Sequence, residues 1–126
     1  MKQIILTQKA PQPIGAYSQA VLSGKTLYIS GQIAVDPKTK NLVLDSIEAE
    51  TKQIMENLKE ILLDTGMTFK NVVKTSIFIL DMNNFAVVNK VYEQYFDRNF
   101  APARETVAVV GLPKNVNVEI SVIATK

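Results

Sequence analysis

Apolar residues fall into short alternating runs separated by two stretches of helical spacing. Residues 18–22 and 26–30 are apolar runs joined by Ser23-Gly24-Lys25, and Gly24 can take the positive φ of a tight turn, so the pattern predicts a β-hairpin. The polar stretch Asp36-Pro37-Lys38-Thr39-Lys40-Asn41 predicts an exposed turn. Asp45 followed by Glu48 has the form of an N-cap with its acidic partner. Ile47, Ile54, Leu58 and Ile61 then recur at helical spacing, and Gly66 closes that helix. A stripe of this kind packs against a core.

Residues 72–80 are rich in β-branched side chains. Val73, Thr75, Ile77 and Ile79 fall on one face and Val72, Lys74, Ser76 and Phe78 on the other, which predicts a central strand. Asp81 or Asn83 can cap a second helix with Phe85, Val88, Tyr92, Tyr95 and Phe96 as its apolar stripe, and Arg98 as a partner for the dipole at its C-terminal end. Two final strands, 107–110 and 116–124, flank the turn-rich Gly111-Leu112-Pro113-Lys114-Asn115. The expected order is β-β-α-β-α-β-β, an α+β fold with a mixed β-sheet and two helices packed on one face. No repeat or linker divides the chain, so residues 1–126 are expected to form a single domain.

Composition narrows the chemistry. The 126 residues are 47% hydrophobic and 21% charged, values of an ordinary globular domain, and a chain this short gains from oligomerisation. The sequence has no Cys and no His, which excludes thiol nucleophiles, Cys-based zinc sites and every triad built on imidazole. A metal site is not expected. Net charge is +2 and the lysines are dispersed, so no nucleic-acid footprint stands out. Neither a signal-peptide apolar region nor a run of roughly 18 apolar residues is present, which places the expected location in the cytoplasm.

Only two arginines occur, Arg98 and Arg104. Arg104 lies in Pro102-Ala103-Arg104-Glu105-Thr106 at the mouth of an apolar strand, where a fixed guanidinium offers a planar fork to a carboxylate. Pairing with a neighbouring acid is the structural alternative. Glu119 interrupts the last strand on the face opposite Val118 and Ile120, a position that composition alone reads first as plain exposure. Ser30-Gly31-Gln32 and Ile14-Gly15-Ala16-Tyr17 bring a hydroxyl, backbone donors and a phenol into loops, where sites are commonly built.

Five segments, in order, carry a resemblance over nearly the whole chain: APQPIGAYSQAV at 10–21, LYISGQIAVDPKT at 27–39, VVKTSIFILDMNNFAVVNKVYEQYF at 72–96, PARETVAV at 102–109 and LPKNVNVEISVIA at 112–124. Together they resemble the RidA/YjgF/YER057c/UK114 family of reactive-intermediate (imine) deaminases. The resemblance implies a chorismate-mutase-like fold assembled as a homotrimer with clefts between subunits. It also implies hydrolysis of 2-imino acids, such as 2-iminobutanoate and 2-iminopropanoate, to 2-oxo acids and ammonia without metal or organic cofactor. By position, Arg104 would grip the substrate carboxylate and Glu119 would position or deprotonate water. Tyr17, Ser30 and Asn89 would line the pocket, with backbone groups of Gly31 and Thr106 completing it. The sequence departs from the usual pattern at three places: Ala16 stands where Pro is usual, and Glu105 and Thr106 where Ser and Cys are common.

Three readings compete with hydrolysis. The same cleft would serve a non-catalytic trimeric ligand-binding or regulatory protein. Relatives have also been described as ribonucleases, yet no basic stripe with stacking aromatics supports nucleic acid as a partner. Chorismate mutation would need several converging cations, and only Arg104 is well placed.

Overall fold

A computed structural model describes all residues 1–126. The strands are β1 (Lys2–Ile5), β2 (Ala20–Ser23), β3 (Thr26–Gln32), β4 (Val72–Ile79), β5 (Ala103–Ala108) and β6 (Val118–Thr125), and the helices are α1 (Ile47–Asp64) and α2 (Phe85–Tyr92). They form one sheet in the order β1-β2-β3-β6-β4-β5, antiparallel except for the β4–β5 pair. The α+β class with two helices is as the sequence pattern implies. β6 lies between β3 and β4 because its alternation is unbroken: Val118, Ile120, Val122 and Ala124 are buried and the residues between them half-buried.

Several expected boundaries move. β1 has only two apolar residues in four and is held by pairing with β2, a signal too short for periodicity to reveal. The helix cap is Ser46, whose hydroxyl accepts from the Ala49 amide at 3.0 Å, and not Asp45. Glu48 consequently has no capping role. α1 ends in a Schellman motif: the Gly66 amide donates to the Leu63 carbonyl and the Met67 amide to the Leu62 carbonyl, with Gly66 at φ +75°. In β4 a register shift between Val72 and Lys74 turns Val72 into the core and leaves Val73 exposed, reversing the two as read from simple alternation.

Asp81, not Asn83, caps the entry to the second helix, accepting from the Asn83 amide at 2.9 Å in a 3₁₀ turn that precedes α2. α2 stops at Tyr92, so Tyr95 and Phe96 lie beyond it. They pack instead through Phe69, with ring centroids 5.2 Å apart in both pairs. Arg98 therefore does not cap α2. It sits in a separate 3₁₀ turn, largely exposed, within 3.5 Å of Glu93. The strand expected at 107–110 begins at Ala103 instead, because parallel pairing with β4 extends through Arg104 and Glu105 despite their charge.

Both helices cover the same face of the sheet. Ile54, Leu58 and Ile61 of α1 and Val88 of α2 meet Ile77 and Ile120 there, all at most 1% exposed. Glu50, in the first turn of α1, is fully buried with no cation beside it. Its carboxylate accepts from the Asn117 amide (2.8 Å), the Asn117 side chain (2.8 Å) and the Val118 amide (3.0 Å), pinning the start of β6 to α1. Glu50→Ala leaves these donors without partners and is expected to lower unfolding free energy by about 3 kcal/mol or more. Glu48→Ala, on the exposed side of the same turn, should stay within about 0.5 kcal/mol. Denaturant titration of the two variants checks the contrast.

Candidate active site

Arg104 stands directly beside Thr75, a buried residue on the helix-covered face, so its side chain projects on that side from the sheet edge. Nη1 donates to Asn89 Oδ1 at 2.7 Å, and the guanidinium carbon lies 5.0 Å from the Tyr92 ring centroid and 5.6 Å from that of Phe85. These rings hold the cation by its face. Tyr92 is itself fixed by its hydroxyl at 3.0 Å from Thr75 Oγ1, and burial pushes its phenol pKa up despite that bond and the Arg104 charge. Phe85, Asn89 and Tyr92 thus present one face of α2 to Arg104. The sequence reading placed Phe85 and Tyr92 in the core stripe alone, although their spacing around Asn89 carried this second use.

Arg104 makes no ion pair. The adjacent acid, Glu105, points to the opposite face, where it binds the Ser76 hydroxyl and Lys74 Nζ (2.9 Å). The Ser76 hydrogen bond and then Lys74 lower its carboxyl pKa. The remaining N–H groups of the fork therefore have no acidic partner within the chain. Arg104, Asn89, Tyr92, Phe96, Arg98 and Pro102 border an open cleft of about 360 Å³. Thr106 pairs with Ile77, shares the Arg104 side of β5, and carries a buried hydroxyl without a hydrogen-bond partner.

Glu119 is placed differently. It lies beside Phe78 and alternates with buried Val118 and Ile120, so it faces the side of the sheet that no helix covers. It is half-buried, not plainly exposed, and burial raises its carboxyl pKa. Its close neighbour is Gly31. The register shift between Ile29 and Gln32 sets Ser30 and Gly31 against β6 so tightly that a Cβ on Gly31 would stand 2.5 Å from Glu119 Oε2. Any larger residue at 31 would displace the Glu119 carboxylate from this position. The Ser30 hydroxyl donates to the Ser18 carbonyl at 2.6 Å, fastening the loop before β2. Tyr17 is half-exposed, accepts from the Ile14 amide at 3.4 Å, and shares with Gly31 a second cavity of about 240 Å³.

The expected residues therefore form two groups. Arg104, Asn89 and Thr106 lie on the helix-covered side of the sheet edge, while Gly31 and Glu119 meet across the β3–β6 bulge and Tyr17 joins Gly31 at the second cavity. Within one chain, Arg104 and Glu119 project from opposite faces of the sheet. No group of three or more acidic side chains converges as a metal-binding cluster, and no helix is long and apolar enough to cross a membrane.

A family model described as Endoribonuclease L-PSP matches residues 7–126. The chain belongs to this YjgF/RidA family. It is 48% identical over 124 residues to the human protein named 2-iminobutanoate/2-iminopropanoate deaminase, covering 98% of this chain and 90% of that one. It is also 47% identical over 126 residues to a RutC family protein of Pyrococcus horikoshii, covering 100% and 99% of the two chains. Among solved structures, a putative endoribonuclease from Thermotoga maritima superposes with a TM-score of 0.96 at 48% identity, covering 100% of this chain and 98% of that one. Escherichia coli TdcF with bound serine gives 0.92 at 40% identity, with 98% of each chain covered. The six-stranded sheet and two helices are thus those of Rid family structures.

The raised pKa of Glu119 has a consequence for stability. Its folded-state value exceeds its unfolded one, so its contribution is fully present below the ordinary Glu range and is lost as pH rises through the raised folded value. Glu119→Gln has no charge to desolvate. The variant is expected to gain stability relative to the native chain between about pH 4 and pH 7, read from denaturation midpoints at both values.

Proposed function

We propose that this protein hydrolyses 2-imino acids such as 2-iminobutanoate and 2-iminopropanoate, in clefts between the subunits of a chorismate-mutase-like homotrimer. The observation that carries the reading is the pair of half-sites: an Arg104 fork held on Tyr92 and Asn89 with no acid of its own, and a desolvated Glu119 on the other face of the sheet. A copy docked against the uncovered face brings the two halves together. That face carries Tyr28 beside Ile123 and Val107 beside Phe78, with Tyr28 49% and Val107 41% exposed, apolar surface that assembly removes from water. The human relative's name supports the reaction class.

In the proposed reaction Arg104 binds the substrate carboxylate through two parallel hydrogen bonds and fixes the C=N carbon within reach of water. Glu119 takes a proton from that water as its oxygen bonds to carbon, giving a tetrahedral carbinolamine. The proton is passed to nitrogen, and the hydroxyl then gives up its own proton, relayed to nitrogen, as C=O forms and the C–N bond breaks, so that the 2-oxo acid and ammonia leave. One water is consumed and no electrons are exchanged. Burial suits Glu119 to this work, because a carboxylate with a raised pKa is a stronger base. The electrophile is already polarised, so a barrier reduction of roughly 3–4 kcal/mol gives on the order of 10²–10³-fold, within the reach of one clamp and one base.

Light scattering is expected to report three chains. Mixing Arg104→Ala with Glu119→Gln should restore about one quarter of native activity, since random assembly pairs an intact Arg104 with an intact partner Glu119 in that share of interfaces. A monomer, or no recovery on mixing, sinks the shared cleft. In an assay generating imines with an amino-acid oxidase, Arg104→Lys should lower kcat/KM by at least about tenfold through loss of the planar fork. Glu119→Gln should lower kcat by about 10²-fold while leaving 2-oxobutanoate binding intact by calorimetry. Ligand binding without imine decay in the native protein would favour the non-catalytic reading. A salt-sensitive affinity for RNA would favour the nucleic-acid one.

A further inference from the structure

The cavity beside Tyr17 and Gly31 is lined by two lysines, Lys40 and Lys114, and by no acidic residue. Neither lysine is in an ion pair. Asp36, close to Lys40 in sequence, does not neutralise it: its carboxylate accepts from the Lys38 amide, and it meets Lys40 through its backbone carbonyl at 2.7 Å from the Lys40 amide. The wall behind the cavity is fastened by its own amides. Gln19, buried, accepts from the Thr7 amide and donates to the Thr7 and Pro11 carbonyls.

The backbone of both lysines is unusual. Lys40 has φ +65° and Lys114 φ +56°, and with Asn115 they are the non-glycine residues of the chain in the left-handed region. At Gly24 and Gly66 the chain fills positive φ with glycine, the residue that adopts it without strain. At the rim of this cavity it places a long cationic side chain there twice. Strained positions of this kind cluster where side chains bind ligands.

We propose that Lys40 and Lys114 form an anion subsite that admits substrates with a second carboxylate, so that the protein accepts 2-imino dicarboxylic acids, the imines of aspartate and glutamate. This rests on the imine-hydrolysis reading, because Gly31, which lines the cavity together with Tyr17, stands against Glu119. Arg104 takes the carboxylate next to the imine carbon. The two ammonium groups take the distal one.

The test uses a Lys40→Gly/Lys114→Gly double variant of the full chain, which relieves backbone strain and so keeps the fold. Imine decay is followed for 2-iminobutanoate and for the imines of aspartate and glutamate, and calorimetry compares 2-oxobutanoate with 2-oxoglutarate. The expected result is a kcat/KM for 2-iminobutanoate within about twofold of native and a loss of about fivefold or more for the dicarboxylic imines, with a matching loss of 2-oxoglutarate affinity. An unchanged ratio of dicarboxylic to monocarboxylic turnover overturns the subsite. So does inorganic phosphate that inhibits both substrate classes equally through the lysines, which would make the site one for a free anion. If the native protein turns over no imine, the hydrolysis reading fails while the subsite is still judged by calorimetry: 2-oxoglutarate binding that weakens in the double variant supports it, and binding that does not weaken overturns it.

Discussion

Two helices cannot cover both sides of six strands, so this chain spends them on one face, and the other is left to water or to a second copy. The apolar residues that bind α1 and α2 to the sheet set β6 at its centre, and Glu50 then fixes where β6 begins. A buried carboxylate without a cation is costly unless its oxygens are filled. Here three donors fill them, and two of those are backbone amides at the start of β6. The phase of β6 follows from that anchor: with Val118 turned to the core, Glu119 must face the uncovered side.

The same alternation sends Arg104 the other way. β5 runs parallel to β4 at the sheet edge, and pairing Arg104 with Thr75 directs its side chain toward α2, where two aromatic rings receive its face and Asn89 takes one hydrogen bond. A flat cation stacked on aromatics keeps the edge donors of its fork available, which an ion pair with Glu105 would have consumed. Unbroken alternation along β5 turns Glu105 to the far face, where Lys74 and Ser76 bind it. Glu105 is therefore accommodated without taking the guanidinium out of use.

Strong periodicity made the helices, the strand at 72–79 and the hairpin legible in the sequence, although that strand lies next to the sheet edge and β6 holds the centre. What escaped depended on events of one residue. The shift between Val72 and Lys74 reversed a pair of adjacent valines, and Ser46 displaced Asp45 as cap because a single step along the chain decides which side chain meets the Ala49 amide. β1 escaped because its existence depends on β2, not on its own pattern. The bulge at Ser30 and Gly31 is likewise invisible to alternation, although glycine within an apolar strand is the customary sign of a close backbone approach. Arg104, Glu119 and the Ser30-Gly31 and Tyr17 turns stood out as residue types, whereas Asn89, Thr106 and the role of each residue came from the family resemblance alone. That Arg104 and Glu119 would stand on opposite faces could be read only once the partners of β5 and β6 were known.

Several unfavourable terms gather near these residues and not in the core: a desolvated carboxylate at Glu119, an unpartnered hydroxyl at Thr106 and left-handed lysines at 40 and 114. None stabilises the folded chain by itself, and the close-packed core beneath α1 supplies what they cost. A free-standing subunit gains nothing from holding a guanidinium without an acid on one face and a carboxylate without a cation on the other. Opposed charges that cannot meet within a chain can meet between chains, and in the proposed three-fold assembly each copy offers its Arg104 half-site to one neighbour and its Glu119 half-site to the other. In the proposed assembly chemistry is therefore coupled to oligomerisation, because the contact that would cover the apolar sheet face is also the one that would complete the pair.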